Sequence, residues 1–445
     1  MAVLLGSKNL SVIEEVVLTS SQTYTARRTG IADVICIGGG GQGGSSGKAF
    51  PGHASMAFNG TGGGAGGYSR KRIPITAGDT FTVVVGAGGQ ANSSTLMPDA
   101  NGVKDGGAGG ETTFDHASAT ANIALDSNGG AGGVGNSTTS ASGATYAGGA
   151  GGTATGGDVN FTGGRGGTIT RSNNGSNTGV FATGGGAVAI FGAAFNGGDI
   201  NYTSSGTTTA ATGGAGVGGN GGDIAYDTGS VNSTSASGGG SASGAGNGFT
   251  SAQTAASGAT CLTAFAKTDV VMGGGRLPSH GGQSRATNTQ ILCVAGNGGT
   301  GALRAYMAGL GDSTYNTIFG GNDKPTEVHD AAAGPGAVAT SDAALYPQAT
   351  GPGGGGGGAA GNANNNANNS VIAAGNGAAF AGGGGAMSIV SNSELANSSE
   401  MISSSGRGGI GGGGSGGCML GTNASNSTNE WASGGDGVVI IQYLG

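Results

Sequence analysis

Runs of glycine interrupt this chain at Gly38–Gly41, Gly62–Gly64, Gly184–Gly186, Gly353–Gly358 and Gly411–Gly414. A glycine loses about 0.5–1 kcal/mol more backbone freedom on folding than an alanine, and it brings no side chain to a core. Glycine is 108 of 445 residues and aromatics are 5%, where average glycine usage is about 7%. Side-chain burial is therefore too thin to offset the cost in the ordinary way. What glycine alone permits is main chain packed directly on main chain. The runs are expected to be extended helices with about 3 residues per turn and about 3.1 Å rise, close enough for N–H, C=O and Cα–H groups to meet across the gap. Single Ala or Ser residues inside a run are expected to mark outward positions. The fold class predicted is mostly irregular, all-β: short strands at the chain ends plus stacked polyglycine II helices, a glycine-rich sandwich, with extended polar loops.

The organising stretch runs from Asp33 to Gly67, where an apolar strand (Val34, Ile35, Cys36, Ile37) feeds a glycine run and a second run follows a small-residue loop. Gly434 to Tyr443, GGDGVVIIQY, answers it as a closing strand. Before it, Val12, Ile13, Val16, Val17 and Leu18 suit a short helix or strand, and Thr23-Tyr24-Thr25 a strand edge. Tyr68 to Gly89 reads as a β-hairpin, with Ile73 and Ile75 alternating, a turn at Ala77-Gly78-Asp79, and Phe81, Val83 and Val85 alternating again. Arg70, Lys71 and Arg72 read as a solvated strand edge. Four sections follow: 1–30, an attachment or oligomer-contact segment; 31–155, glycine-rich with the hairpin; 156–350, glycine-rich with long insertions; and 351–445, with the closing strand.

One unit recurs irregularly in the middle: GGDVNF from Gly156, GGDINY from Gly197 and GGDIAY from Gly221, with looser copies GGETTF from Gly109 and GGAVAIF from Gly185. Apolar residues two apart put one face of each on a core. Asn/Ser/Thr-rich loops are expected at Ala91–Asn101, Arg171–Val180, Asp227–Ser237, Ser391–Ser405 and Thr422–Asn429. The longest glycine-poorer stretch, Ala302 to Pro347, carries Tyr306, Tyr315, Phe319, Lys324, His329 and Tyr346. Aromatics with an occasional charge on a loop suit a recognition surface, though filling a local mini-core is the commoner use of such residues. Tyr306, Tyr315, Phe319, Lys324 and His329 are the candidate receptor-binding residues.

Known chemistries find little support. Charged residues are 9% and the net charge is −7, without the concentrated basic surface that nucleic acid requires. No apolar run reaches the ~18 residues of a membrane span, and Glu14-Glu15 follows the first apolar stretch too soon for a secretory signal. Gly38, Gly40 and Gly43 mimic a dinucleotide fingerprint, but Pro51 and the lack of an acid before Asp79 argue against one. Gly47-Lys48-Ala49 fails the P-loop pattern, and GGNGGD from Gly218 lacks the tandem copies of a calcium nonapeptide repeat. The histidines at 53, 116, 280 and 329 share no metal spacing, and Asp115-His116 has no nucleophile motif beside it. The four cysteines (36, 261, 293, 418) read as small buried hydrophobes. No catalytic residue, metal or cofactor is expected.

The order strand–IGGGG, GGGAGGYSRKRIPITAGDTFTVVVGAGG, GGETTF, GGAGG and terminal GGDGVVIIQY resembles the glycine-rich domain of bacteriophage tail fibres and tail-tip adhesins, over about Ser21 to Gly445. T-even-like fibre-tip adhesins are relatives of that architecture. The usual Pro-x-Gly before the first strand is here Ala26-Arg27-Arg28-Thr29-Gly30, and no sizeable fibre-binding domain precedes the glycine region. The resemblance implies a virion protein of the phage tail, folded in the host cytoplasm, in which stacked polyglycine II helices carry variable loops. Its partners would be a host cell-surface receptor (an outer-membrane protein or a glycan) and other virion tail proteins. It implies no nucleic acid, no membrane insertion and no enzyme activity, and a homotrimer by analogy with fibres. The alternatives are a structural virion protein (fibre shaft or capsid decoration) and an extracellular glycine-rich matrix protein.

Overall fold

The computed structural model describes residues 12–49, 57–90, 103–117, 122–138, 143–171, 179–190, 192–202, 208–226, 233–240, 249–251, 283–284, 292–295, 338–340, 355–363, 370–377, 380–390, 401–421, 427–430 and 432–445. Among them are 31 strands in six sheets and no helix.

Apolar alternation builds the base. Gly30–Ile37 pairs antiparallel with Val438–Leu444 on one side and Tyr68–Ile75 on the other, and Val12–Leu18 adds beyond Val438–Leu444. The second base sheet runs Ala154–Thr155, Asn122–Ser127, Thr112–Ala117, Thr80–Val84, Gln22–Thr25. The two sheets close on one core of Val34, Cys36, Ile73, Phe81, Val83, Phe114, Leu125, Val439 and Ile441. At its edge the Tyr24 and Tyr443 hydroxyls meet at 2.8 Å.

The expected hairpin from Tyr68 to Gly89 is an arch. Tyr68–Ile75 and Thr80–Val84 belong to different sheets, joined by a turn in which Gly78 has φ +96° and Asp79 N–H donates to the Thr76 carbonyl at 3.0 Å. Both strands point their alternate apolar residues into the shared core, so period-two patterning serves an arch as well as a hairpin. The Arg70 to Arg72 segment is not simply solvated. Arg72 donates twice to the buried Asp33 carboxylate at 2.8 and 3.0 Å, Arg70 pairs with it as well, and Lys71 donates to the Gly156 carbonyl at 3.0 Å.

Glycine runs lead out of this base. Residues 38–44 leave Gly30–Ile37, and 61–67 return to Tyr68–Ile75. The N–H groups of 38, 41 and 44 donate to the carbonyls of 67, 64 and 61 at 2.8–3.0 Å. Those of 39 and 42 donate to 110 and 107, and those of 40 and 43 to 435 and 432. The carbonyls follow the same rotation, accepting from 414 and 417 (at 41 and 44), from 130 and 133 (at 39 and 42), and from 89 (at 40). One run thus has six hydrogen-bonded neighbours, five of them contacted at every third residue. A Cβ on Gly40, Gly41 or Gly43 would lie 1.9–2.0 Å from a neighbour's carbonyl oxygen. Only glycine permits that spacing.

The few side chains in the runs follow the same period. Asp105, Ala108 and Glu111 face solvent on one peripheral run, and Ala147, Ala150 and Thr153 on another. Ala65, Ala187, Ala215 and Ser415, in contrast, are fully buried. The outward expectation holds at the periphery and fails where a side chain packs or bonds: Ala65 belongs to one core cluster with Ile37, Tyr68 and Val188, and Ser415 Oγ donates to Gly406 O at 2.9 Å.

In all three GGD copies the aspartate accepts a main-chain N–H from a neighbouring segment: Asp158 from Arg72 at 3.0 Å, Asp199 from Thr168 at 2.7 Å and Asp223 from Asp199 at 2.8 Å. Asp199 also holds Arg165 through two bonds, at 2.7 and 2.6 Å. After the aspartates, Ile200–Tyr202 and Ile224–Tyr226 pair parallel and in register, whereas Val159–Phe161 joins the base sheet. The GGAVAIF copy forms no strand. It makes only a bridge between Ala187 and Phe195, and Val188 and Ile190 cover the outer face of the base beside Ile37 and Val438.

Beyond the runs, short strands form four further sheets. Parts of the expected polar loops are strands there: Ser233–Ala236, Met401–Ser404 and Ser427–Glu430.

Candidate functional site

Register places the polar segments. In one distal sheet Thr138, Ala57, Gly179, Thr208 and Ser233 lie level across five strands. In the next, Ala144, Arg171, Tyr202, Tyr226 and Ser251 do. In a third, Asn362, Ile389, Leu420 and Lys48 align, and in the fourth Ser370, Met401 and Ser427. Each level row borders the segments 50–56, 139–142, 172–178, 203–207, 227–232, 364–369, 391–400 or 422–426, and the opposite strand ends meet the glycine runs. The strand ends that border these segments therefore lie along the sheet edges turned away from the base that holds Val12 and Gly445.

The best-defined side-chain cluster at this rim lies between the first two of these sheets. Ile169–Arg171 alternates so that Ile169 and Arg171 share the inward face. Ile169, Phe181, Ile200, Tyr202, Ala210 and Ile224 form the packed layer, with Tyr146 against it. Phe181 and Tyr202 rings pack with centroids 5.2 Å apart, and the Arg171 guanidinium lies 5.8 and 5.7 Å from them, within reach of a cation–π attraction. Gly179 makes this possible, because a Cβ there would lie 2.6 Å from Phe181 Cε2. Burial pulls Arg171 below its ordinary pKa, with the Tyr202 and Tyr146 hydroxyls acting the other way. An arginine remains a cation at any ordinary pH. Arg171 is 4% exposed, and its Nε has no hydrogen-bond partner.

Tyr306, Tyr315, Phe319, Lys324 and His329, with Tyr346, lie outside the described residues. His116 packs its ring 4.8 Å from Phe81 in the base, and burial raises the pKa of its neighbour Asp115. Cys36 and Cys418 are fully buried with burial raising their thiol pKa values, Cys418 donating to Phe181 O at 3.0 Å. Sequence reasoning took Arg171 as the first residue of a loop. The signal that would have found it is the Ile169-Thr-Arg alternation, which carries the strand one turn of the pleat further.

A second set of residues escaped the sequence reading: the hydroxyls that open return runs. Thr183, Thr212 and Ser237 donate to Gly167, Gly198 and Gly222 carbonyls at 2.5–2.7 Å, and accept from Gly62, Gly184 and Gly213 at 3.0–3.2 Å. They hold the distal sheets in step with the runs beneath.

No curated protein matches the sequence. The family described as Glycine-rich domain matches residues 17–265, more than half of the chain, and the protein belongs to that family.

Proposed function

We propose that this protein is a non-catalytic adhesin of a bacteriophage tail fibre or tail tip. It binds a receptor on the host cell surface, an outer-membrane protein or a glycan, through loops on a stiff glycine-rich scaffold. The observation that carries this reading is the alignment, along the sheet edges remote from the base, of the strand ends that border the polar segments. A pre-ordered support spares much of the ordering entropy that loops lose on contact. The reading takes the runs as polyglycine II helices. Its support is the three-residue rotation of hydrogen bonds to six neighbours, which suits a helix of 3 residues per turn. On this reading Tyr306, Tyr315, Phe319, Lys324 and His329 contribute to receptor contact, other tail proteins hold the base, and the protein assembles as a trimer on the virion.

The test is competition. Free protein should block phage adsorption, and exchange of residues 302–347 should change host range. If neither happens while particles lacking the protein still adsorb, the chain is a structural virion component instead.

A further inference from the structure

We infer that Asn128 is a site of spontaneous deamidation, set apart from the other described asparagine–glycine pairs by the hydrogen bonding of the run it heads. In such a pair the glycine main-chain nitrogen loses its proton and attacks the asparagine side-chain carbonyl carbon. A C–N bond forms, the side-chain nitrogen leaves as ammonia, and water opens the resulting succinimide to aspartate or isoaspartate. Asparagine is a thermolabile residue, and a following glycine puts no side chain in the way of the attack. A nitrogen whose N–H is held by a carbonyl can neither shed that proton nor turn toward the side chain.

The lattice holds three of these pairs in that way. The N–H groups of Gly197, Gly221 and Gly377 donate to the carbonyls of Arg165, Asn196 and Arg407 at 2.7–3.0 Å. The N–H groups of the same three residues, Arg165, Asn196 and Arg407, donate to the Oδ1 atoms of Asn196, Asn220 and Asn376 at 2.8–3.0 Å. One residue of the adjacent run thus fixes both the nitrogen and the side chain of each pair. Asn59, before Gly60, is closed off differently, being 0% exposed and out of reach of water.

Asn128 and Gly129 escape both kinds of protection. The N–H groups of 128 and 131 go to 153 and 150, and those of 130 and 133 to 39 and 42. The third direction of this rotation, at Gly129 and Gly132, meets no acceptor among the described residues. Asn128 is exposed, and its side-chain bond, from Nδ2 to Thr153 Oγ1 at 3.0 Å, is exposed as well. The Gly67 N–H that reaches the Asn128 carbonyl at 2.9 Å leaves the reacting nitrogen untouched. Isoaspartate here would add one carbon to the main chain just ahead of 130, 131 and 133, whose N–H groups bond their neighbours at 2.7–2.9 Å. Conversion therefore throws the run out of step with the lattice. The inference stands whether or not the protein adheres to cells.

Ageing the full chain in mildly alkaline heavy-oxygen water, folded and in denaturant, tests it, with peptide mapping by tandem mass spectrometry reading each asparagine. In denaturant Asn128, Asn196, Asn220 and Asn376 should convert alike. In the folded chain Asn128 should convert about tenfold or more faster than the other three, as a hydrogen bond on each protected nitrogen implies. The new acid should carry the heavy oxygen, and amide exchange at Gly130 and Gly133 should quicken in converted molecules. Folded-chain conversion at Asn128 no faster than at Asn196, Asn220 and Asn376 would overturn the site. Unchanged exchange at Gly130 and Gly133 after conversion would overturn its effect on the lattice.

Discussion

The main-chain N–H of Gly41 donates to the carbonyl of Gly64 at 2.8 Å, and no side chain stands between the two runs. The same bond recurs from 38 to 67 and from 44 to 61. Cohesion in this part of the protein is thus a lattice of peptide groups. Each bond contributes a modest net ~0.5–1.5 kcal/mol, but leaving one buried and unmade costs more. Substitutions should therefore act through spacing rather than through lost apolar area.

Gly41→Ala places a methyl 2.0 Å from the Ala131 carbonyl oxygen, on backbone that cannot swing aside. A loss of about 1–3 kcal/mol or more is expected from such overpacking, read as a lower denaturation midpoint. Gly30→Ala is the control, since nothing lies within 4 Å of its Cβ position. That change should be neutral or stabilising by about 0.4–1 kcal/mol through the unfolded chain.

Thr212→Val keeps the shape of the side chain and removes a hydroxyl that bonds Gly198 O at 2.6 Å and Gly184 N at 3.2 Å. Two buried backbone groups would be left unpaired, at about 1–3 kcal/mol each. Thr212→Ser should retain most of the stability, because the oxygen stays. Thermal melts of the pair distinguish a lost bond from a lost methyl.

Asp33 is held below the usual carboxylate pKa first by hydrogen bonds from Arg72, then by Arg70, with burial pushing the other way. Its contribution is complete above the unfolded-chain value near 3.9 and is lost as pH falls through the lower folded value. Asp33→Asn should therefore cost about 1–2 kcal/mol at neutral pH, and the gap to the wild type should close in acid. Denaturant titrations at neutral and acid pH check both halves.

The sequence told most where side chains decide. The closing strand at Val438 and the strand through Val34 to Ile37 were readable because a short branched apolar run beside a glycine run has one use there, as a core strand. Cys36 and Cys418 were readable as buried because their positions lack the spacing of a metal site or a disulfide framework. The arch at Gly78 was not, since Ile75 and Phe81 alternate identically whether their strands pair or oppose. The GGD units showed their glycines and apolar residues but hid the task of the aspartate, which bonds a main-chain N–H of a segment distant in sequence. Thr183, Thr212 and Ser237 were missed because a hydroxyl before a glycine run looks like loop composition until the neighbouring run is in place. Arg171 was lost to its polar neighbours, and the aromatic stretch around Tyr315 lies outside the described residues.

The central claim is that glycine main chain, hydrogen-bonded to its neighbours every third residue, is the ordered interior of this protein. Amide hydrogen exchange of the full chain tests it most directly. The interior amides of Gly40, Gly41, Gly63 and Gly64 should be protected as strongly as those of Val34 and Ile441 in the base core, because their bonds open only with the lattice. Exchange of those glycines at the rate of an unstructured chain, while Val34 and Ile441 stay protected, would contradict the account.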